Sequence, residues 1–237
     1  MGKADLHIHT NFSDGSATPL QVLRQAEKIG IDTIAITDHN EIAGALKAQQ
    51  LAEKWGLKVE VIIGEEITTS DGHVVGLFLK ERIRPLMTAR TTVDEIHRQG
   101  GLAIAVHPFS LWLKLFKCGG VGRLTQLLQF DAIETMNGAV TEYFSNRYTK
   151  TYNNRVTKLA GLGGSDAHTV EAIGQAYTIY PGRGAAWLRK AIYHKATLPA
   201  CSGSPLNALR GFLVDYLKGK LALYGPQGGS LGQTSQV

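Results

Sequence analysis

Cysteine is nearly absent: the 237 residues hold only Cys118 and Cys201. Two thiols so far apart in sequence exclude a disulfide framework and a paired-thiolate metal site. Long apolar runs are missing too, and nothing approaches the roughly 20 residues a membrane-spanning helix needs. The opening Met1-Gly2-Lys3-Ala4-Asp5 has neither the apolar stretch nor the cleavage site of a secretory leader, so a cytoplasmic protein is expected. Gly2 invites myristoylation, but a strand starts almost at once and leaves no free arm for a lipid. Charge of either sign is not in large excess: the net charge is +5. That favours anionic substrates in general. No basic run with interleaved aromatics stands out, and no stable nucleic-acid complex is expected.

What the chain does have is alternation of short apolar runs with helical ones. Ala4–Ile8 reads as a first strand, and Thr18-Pro19 opens a helix through about Ile29, with Thr18 as N-cap. Thr33–Thr37 is a nearly all-apolar strand, as a parallel strand covered on both faces should be. A helix from Glu41 to Trp55 and a strand over Val59–Ile63 follow. Asp71-Gly72 then signals a hairpin between Ile67–Thr69 and His73–Leu79. Thr91 or Thr92 caps the next helix, to about Gln99, and Leu102–Val106 is a buried strand. Asp131–Met136 is another strand, and Thr141–Leu159 is helical. Ala176–Tyr180 is the last strand and Gly184–His194 the last helix. About seven such units predict an α/β fold of parallel strands with right-handed crossovers, a barrel related to the TIM type rather than an open sheet. The barrel is expected to occupy residues 1–200. A basic amphipathic helix within 201–225 would dock on it, and a Gly-, Ser- and Gln-rich tail over 226–237 would be disordered.

The chemistry sits where those strands end. His7 and His9 are two apart, so on a strand both imidazoles face one side, and Asp14 follows after a short turn. A lone pair of this kind is common and silent. Here, however, His39 ends the second strand, and Glu65 and Glu66 follow the third. His73 opens the hairpin's return strand, His107 ends the next, and Asp166 and His168 follow the last strand before a helix. Six of the eight histidines thus occupy strand ends that a parallel barrel brings to one face, which scatter does not explain. His97 and His194, in helical patterns, read as surface residues. Imidazoles and carboxylates without thiolates suit Zn, Mn or Fe and make a poor calcium cage. Nine donors exceed the need of one tetrahedral ion and suit two or three divalent ions sharing carboxylates.

Asp5-Leu6-His7-Ile8-His9-Thr10 with Ser13-Asp14-Gly15, Thr37-Asp38-His39, Gly64-Glu65-Glu66-Ile67, His73-Val74-Val75-Gly76, Ala105-Val106-His107-Pro108 and Gly164-Ser165-Asp166-Ala167-His168 together resemble the PHP (polymerase and histidinol phosphatase) metallophosphoesterases. The resemblance implies a distorted seven-stranded βα barrel and selects Glu66 over Glu65 as ligand. It implies a trinuclear centre, with His7, His9, Glu66 and Asp166 on one ion, Asp14, His39 and His168 on a second, and Glu66 bridging to a third held by His73 and His107. It also implies hydrolysis of a phosphate ester by metal-activated water, with Asp166 receiving a proton and His168 or His39 assisting the leaving group. The compact chain most resembles the stand-alone members acting on nucleoside phosphates or short oligonucleotides. Histidinol phosphate is the alternative substrate, amide or lactone hydrolysis an alternative chemistry, and a non-catalytic metal-binding domain serving a partner the non-enzymatic alternative.

Donors beyond the metals are sought in Arg147 and Arg155, either able to clamp a phosphate, and in Asn137 at a strand end on the same rim. Phe109 and Trp112, after His107, offer faces on which a base or ring could stack.

Overall fold

The computed structural model describes residues 1–110 and 119–202. Nine strands form one sheet: β1 (Gly2–Ile8), β2 (Thr33–Ile36), β3 (Glu60–Thr69), β4 (Gly72–Leu77), β5 (Leu102–Ala105), β6 (Ala132–Asn137), β7 (Ala160–Gly164), β8 (Ala176–Tyr180) and β9 (Leu198–Cys201). Their spatial order is β7-β6-β5-β4-β3-β2-β1-β8-β9, so the first seven lie side by side in chain order. The barrel closes at its top, where the segment after β7 pairs with the end of β1. His9 N–H donates to the Ala167 carbonyl at 2.9 Å and Ala167 N–H to the His7 carbonyl at 3.3 Å. Lower down, β8 crosses β7, and Thr178 Oγ1 accepts the Gly163 N–H at 2.9 Å.

The sheet is mixed: the hairpin was expected, but elsewhere parallel units were. β1–β2–β3 and β5–β6–β7 are parallel, while β4, β8 and β9 each run against their neighbours. For β4 the Asp71-Gly72 hairpin is the cause, since a two-strand turn reverses the chain. β8 follows β7 through only a short connection, too short for a crossover helix, and β9 was not anticipated at all. β9 pairs antiparallel to β8, from Ala176 opposite Cys201 to Ile179 opposite Leu198.

Side-chain alternation divides the apolar residues into two layers. Ala4, Leu6, Ala35, Ile62, Val75, Leu77, Ile104, Ala132 and Leu162 fill the barrel interior, whose lower end is stopped by Leu188 and Ile192 of the last helix, Ala185–Tyr193. Outside the sheet, Val22, Leu23, Ala45 and Ala48 pack on Ile34 and Ile36, and Val93 and Ile96 pack on Ala103 and Ile133. These outer residues come from α1 (Pro19–Lys28), α2 (Ala43–Trp55) and α3 (Ala89–Arg98); α4 is Tyr143–Tyr152 and the last helix α5.

Local chemistry sets the helix ends. Thr18 caps α1 in a capping box with Gln21, as its position before Pro19 implies. α2 starts at Ala43, two residues later than expected, because the Glu41 carboxylate accepts the N–H groups of Ile42 and Ala43 from outside the helix. α3 starts earlier than expected. Thr88 is its cap, accepting the Thr91 N–H at 3.2 Å, while Thr91 and Thr92 lie within the helix. The stretch expected as one helix over 141–159 is instead a 3₁₀ turn (Val140–Glu142), α4, and a π turn (Asn153–Thr157). Asn153 accepts the Leu159 N–H and donates to the Leu159 carbonyl, which pulls the chain out of the helix toward β7. Trp112, the amphipathic segment within 201–225 and the tail lie outside the described residues, except for Cys201 and Ser202.

Candidate metal centre

The ligand candidates continue the interior rows of the barrel upward. In β3 the row Ile62, Gly64, Glu66 faces inward, so Glu66 reaches the centre. Glu65 then points to the outer layer, where it accepts the Ile83 N–H at 2.8 Å. Burial pushes that carboxyl up to about 7. His73 shares its row with Val75 and Leu77, and His39 lies four residues on from Ala35. β1 needs a correction to its alternation, because Ala4, Leu6 and Ile8 would otherwise share a face. An irregularity between Asp5 and Ile8 in its pairing with β2 supplies it. Ile8 is turned into the outer core, and His7 and His9 both face in. His107 and Asp166 are re-aimed by their own backbones, with φ of +27° and +53°. Such conformations are disfavoured for residues with a Cβ and concentrate at functional sites.

All nine predicted donors meet at this end of the barrel. His9, Asp14, His39 and His168 offer atoms within 4.8 Å of one another, and so do His7, His9 and Asp166; His7, Glu66 and His107; and His39, Glu66 and His73. Glu66 lies at the middle. Its Oε1 is 2.8 Å from His73 Nδ1 and 3.0 Å from His107 Nε2, and its Oε2 is 3.2 Å from both His7 Nε2 and His9 Nε2. One carboxylate therefore addresses two groups of imidazoles. Asp166 Oδ1 lies 3.5 Å from His7 Nε2 and 3.3 Å from His9 Nε2. Asp14 Oδ2 lies 3.6 Å from His39 Nε2 and 3.3 Å from His168 Nε2.

The centre has a buried floor and an open side. His7, His9, Glu66, His73 and His107 are buried, whereas the side chains of Asp14, His168 and His39 are 53%, 41% and 27% exposed. Both ring nitrogens of His9 are buried 3.2–3.5 Å from carboxylate oxygens without the alignment of a hydrogen bond, and Nδ1 of His107 is buried without a partner. Orphaned imidazole nitrogens amid carboxylates are what divalent ions would satisfy, so the residues fit a metal centre. Burial works against charge on His7, His107 and His168, but the adjoining carboxylates win and raise all three, the last two to about 9. Glu66 and Asp166 are correspondingly held well below the usual carboxylate range by the histidines, against their own burial.

Asn137 is brought to the centre and donates from Nδ2 to Asp166 Oδ2 at 3.1 Å. Arg147 is exposed on α4 opposite the buried Ser145 and Thr149, and Arg155 is exposed in the π turn that leads into the lower end of β7. Phe109 sits beside α4, edge-on to Tyr148 and Tyr152. His97 is half-buried and tied to Asp131 at 2.9 Å, so it is more anchored than a free surface histidine.

Three buried acids escaped the sequence reading. Glu134 accepts from His7 Nδ1 at 3.0 Å through Oε1, and from the His107 N–H at 2.8 Å and Asn137 Nδ2 at 2.9 Å through Oε2. A carboxylate only accepts, so Glu134 keeps a proton on His7 Nδ1, and with an ion bound it would be Nε2 that gives up its proton and turns its lone pair to the centre. Gly164 makes this possible, since a Cβ there would stand 2.7 Å from His7 Cβ and 2.9 Å from Glu134 Oε1. Asp5 holds the Ser165 and Gly174 N–H groups, and Asp38 ties Thr10 to Ser13 in the loop that carries Asp14. Each was visible as an acid inside or beside an apolar strand, where a charge needs partners.

Comparison with known proteins places this geometry. The PHP domain family model matches residues 5–192. An uncharacterized protein of Methanocaldococcus jannaschii, MJ1587, is 40% identical over 146 residues, 57% of this chain and 81% of that protein. A phosphoribosyl 1,2-cyclic phosphate 1,2-diphosphodiesterase of Eggerthella lenta is 40% identical over 83 residues, 32% of this chain and 31% of the enzyme. A 5'-3' exoribonuclease of Haemophilus influenzae is 38% identical over 91 residues, 37% of this chain and 32% of the enzyme. The chain thus spans about a third of either enzyme. Among solved structures, a two-domain Bacteroides vulgatus protein containing a predicted PHP-like metal-dependent phosphoesterase superposes with a TM-score of 0.69, at 22% identity over 90% of this chain and 69% of that one. With the family model covering most of its length, and its donors converging at the top of a distorted barrel, the chain belongs to the PHP domain family.

Proposed function

We propose that the protein is a metal-dependent phosphoesterase that hydrolyses nucleoside phosphates or short oligonucleotides. The observation that carries this reading is the division of the nine donors into a buried floor and an open side. Five sequestered side chains can hold ions, and Asp14, His39 and His168 leave a face on which a phosphoryl group can settle. Two relatives named for phosphodiester cleavage of ribose compounds add support for the substrate class.

In this proposal His7, His9, Glu66 and Asp166 would hold one ion, Asp14, His39 and His168 a second, and His73 and His107 with Glu66 a third. Divalent ions there supply Lewis acidity toward phosphoryl oxygens and acidify the attacking water. The chain's own residues do the rest. Asp166 lies between the floor and the open side and takes the proton of the water that attacks phosphorus. Asn137 fixes the second oxygen of Asp166, so that Oδ1 stays turned toward the centre. His39 and His168, on the open side, face the leaving group.

Phosphate release from AMP, 3',5'-bisphosphonucleosides, short oligonucleotides and histidinol phosphate, with Mn²⁺, Zn²⁺ or Fe²⁺ added, tests the reading. Release from the nucleotide arms that vanishes in His7→Ala and Asp166→Ala is expected. Release from histidinol phosphate alone would replace the substrate. No release from any arm by a protein holding two or three ions would sink the phosphoesterase reading.

A further inference from the structure

The residues from Tyr143 to Lys158 hold four aromatics (Tyr143, Phe144, Tyr148, Tyr152), four cations (Arg147, Lys150, Arg155, Lys158) and no carboxylate. Basic and aromatic residues therefore interleave along this one helical stretch, although no basic run marks it. Phe144, Tyr148 and Tyr152 are four apart, which on a helix makes a row with steps of about 6 Å. The row is not core. Phe144 and Tyr148 are 77% and 53% exposed and the neighbouring Tyr143 62%, so folding gains little from them, while Tyr152 at the far end is half-buried. Phe109 packs edge-on against this aromatic platform and props it, its ring centroid 4.9 Å from Tyr148 and 4.7 Å from Tyr152.

The platform is joined to the metal centre. Phe109 is two residues beyond His107, and Ser110 Oγ donates to Glu142 Oε1, next to the first residue of α4. Asn146 clamps the backbone of Asn137 in both directions at 2.8 Å, and Asn137 reaches Asp166. At its far end the exposed Arg123 lies close enough to act electrostatically on Tyr152.

We propose that the outer face of α4 is a binding track for single-stranded nucleic acid, along which a strand reaches the metal centre. Flat, exposed aromatic faces suit unstacked bases, and cations without competing acids suit phosphates. A duplex hides its base faces and gains only the charge. The track deepens the phosphoesterase reading by naming a polymer rather than a mononucleotide as substrate, and it rests on that reading only for what happens at the strand's end.

The test is fluorescence anisotropy of a labelled single strand of about 12 phosphorothioate-linked nucleotides, bound to the metal-loaded full chain, beside the same sequence as a duplex. Phe144→Ala and Tyr148→Ala are expected to weaken single-strand binding about tenfold each. Arg147→Gln should lower the slope of log affinity against log salt by about 0.7. The duplex should bind more weakly than the single strand. These side chains are exposed, so unchanged melting curves certify the fold. Absence of single-strand binding at low salt, or binding indifferent to both aromatic substitutions, overturns the track. Hydrolysis of p-nitrophenyl phosphate, read in parallel, reports on the phosphoesterase reading alone.

Discussion

Replacing Glu134 with Gln tests whether the metal centre depends on a residue that touches no metal. In the native protein Oε2 accepts two N–H groups and Oε1 accepts the His7 Nδ1 proton. Glutamine has a single carbonyl oxygen, and the two donors from His107 and Asn137 will claim it. Its NH₂ then faces His7, which must present a bare Nδ1 and move its proton to Nε2, the atom aimed at Glu66. An Nε2–H cannot ligate. Loss of such supporting carboxylates typically lowers metal affinity or activity about 10- to 100-fold, or roughly 1.4–2.8 kcal/mol. Glu134→Ala is less informative, because it leaves three buried donors short of an acceptor at about 1–3 kcal/mol each and threatens the fold itself. The assay is metal content by mass spectrometry after equilibration in graded chelator buffers, with melting curves to certify folding. A folded Glu134→Gln protein that keeps every ion at the native affinity would refute the argument.

Other outcomes follow from the same geometry. Gly164→Ala should destabilise the protein by about 1–3 kcal/mol in denaturant melts and lower its metal content, because the new methyl group collides with His7 and Glu134. Metal-free protein should melt at progressively lower temperature as pH rises from about 6.5 to about 9. Histidines whose pKa folding raises stabilise fully below their unfolded value and lose that contribution on passing the folded one, here about 9 for His107 and His168. Stability should also fall on acidification below about pH 4, as Glu66 and Asp166, depressed in the folded state, are protonated. Ion loading replaces those protons, so the metal-loaded protein should show a flatter alkaline limb, and loading should release protons measurable in weak buffer.

Among the described residues no helix is long and apolar enough to cross a membrane, in keeping with the short apolar runs of the sequence. The donor set was legible for a simple reason. Residues at strand ends converge in a parallel barrel, whereas the choice of Glu66 over Glu65 came from the resemblance to the PHP motif, and the inward row of β3 agrees with it. The direction of β8 and the existence of β9 were not legible, because an apolar run records burial and carries no sign of the neighbour's direction. Nor was the break in α4, which a single Asn153 side chain makes through contacts six residues away.

The sequence by itself therefore determined the barrel's units, the nine donors and the rim on which they gather, since periodicity and residue chemistry are local properties. Only the tertiary structure decided that Glu134 supports two of those donors, His7 and His107, together with Asn137, that Gly164 must leave room for it, and that Arg147 and Arg155 are exposed. It also decided that the aromatics of α4 remain uncovered beside that centre. The Glu134 contacts to His7 and His107 span 127 and 27 positions in the chain, and packing and exposure likewise depend on neighbours distant in sequence, which no local pattern encodes.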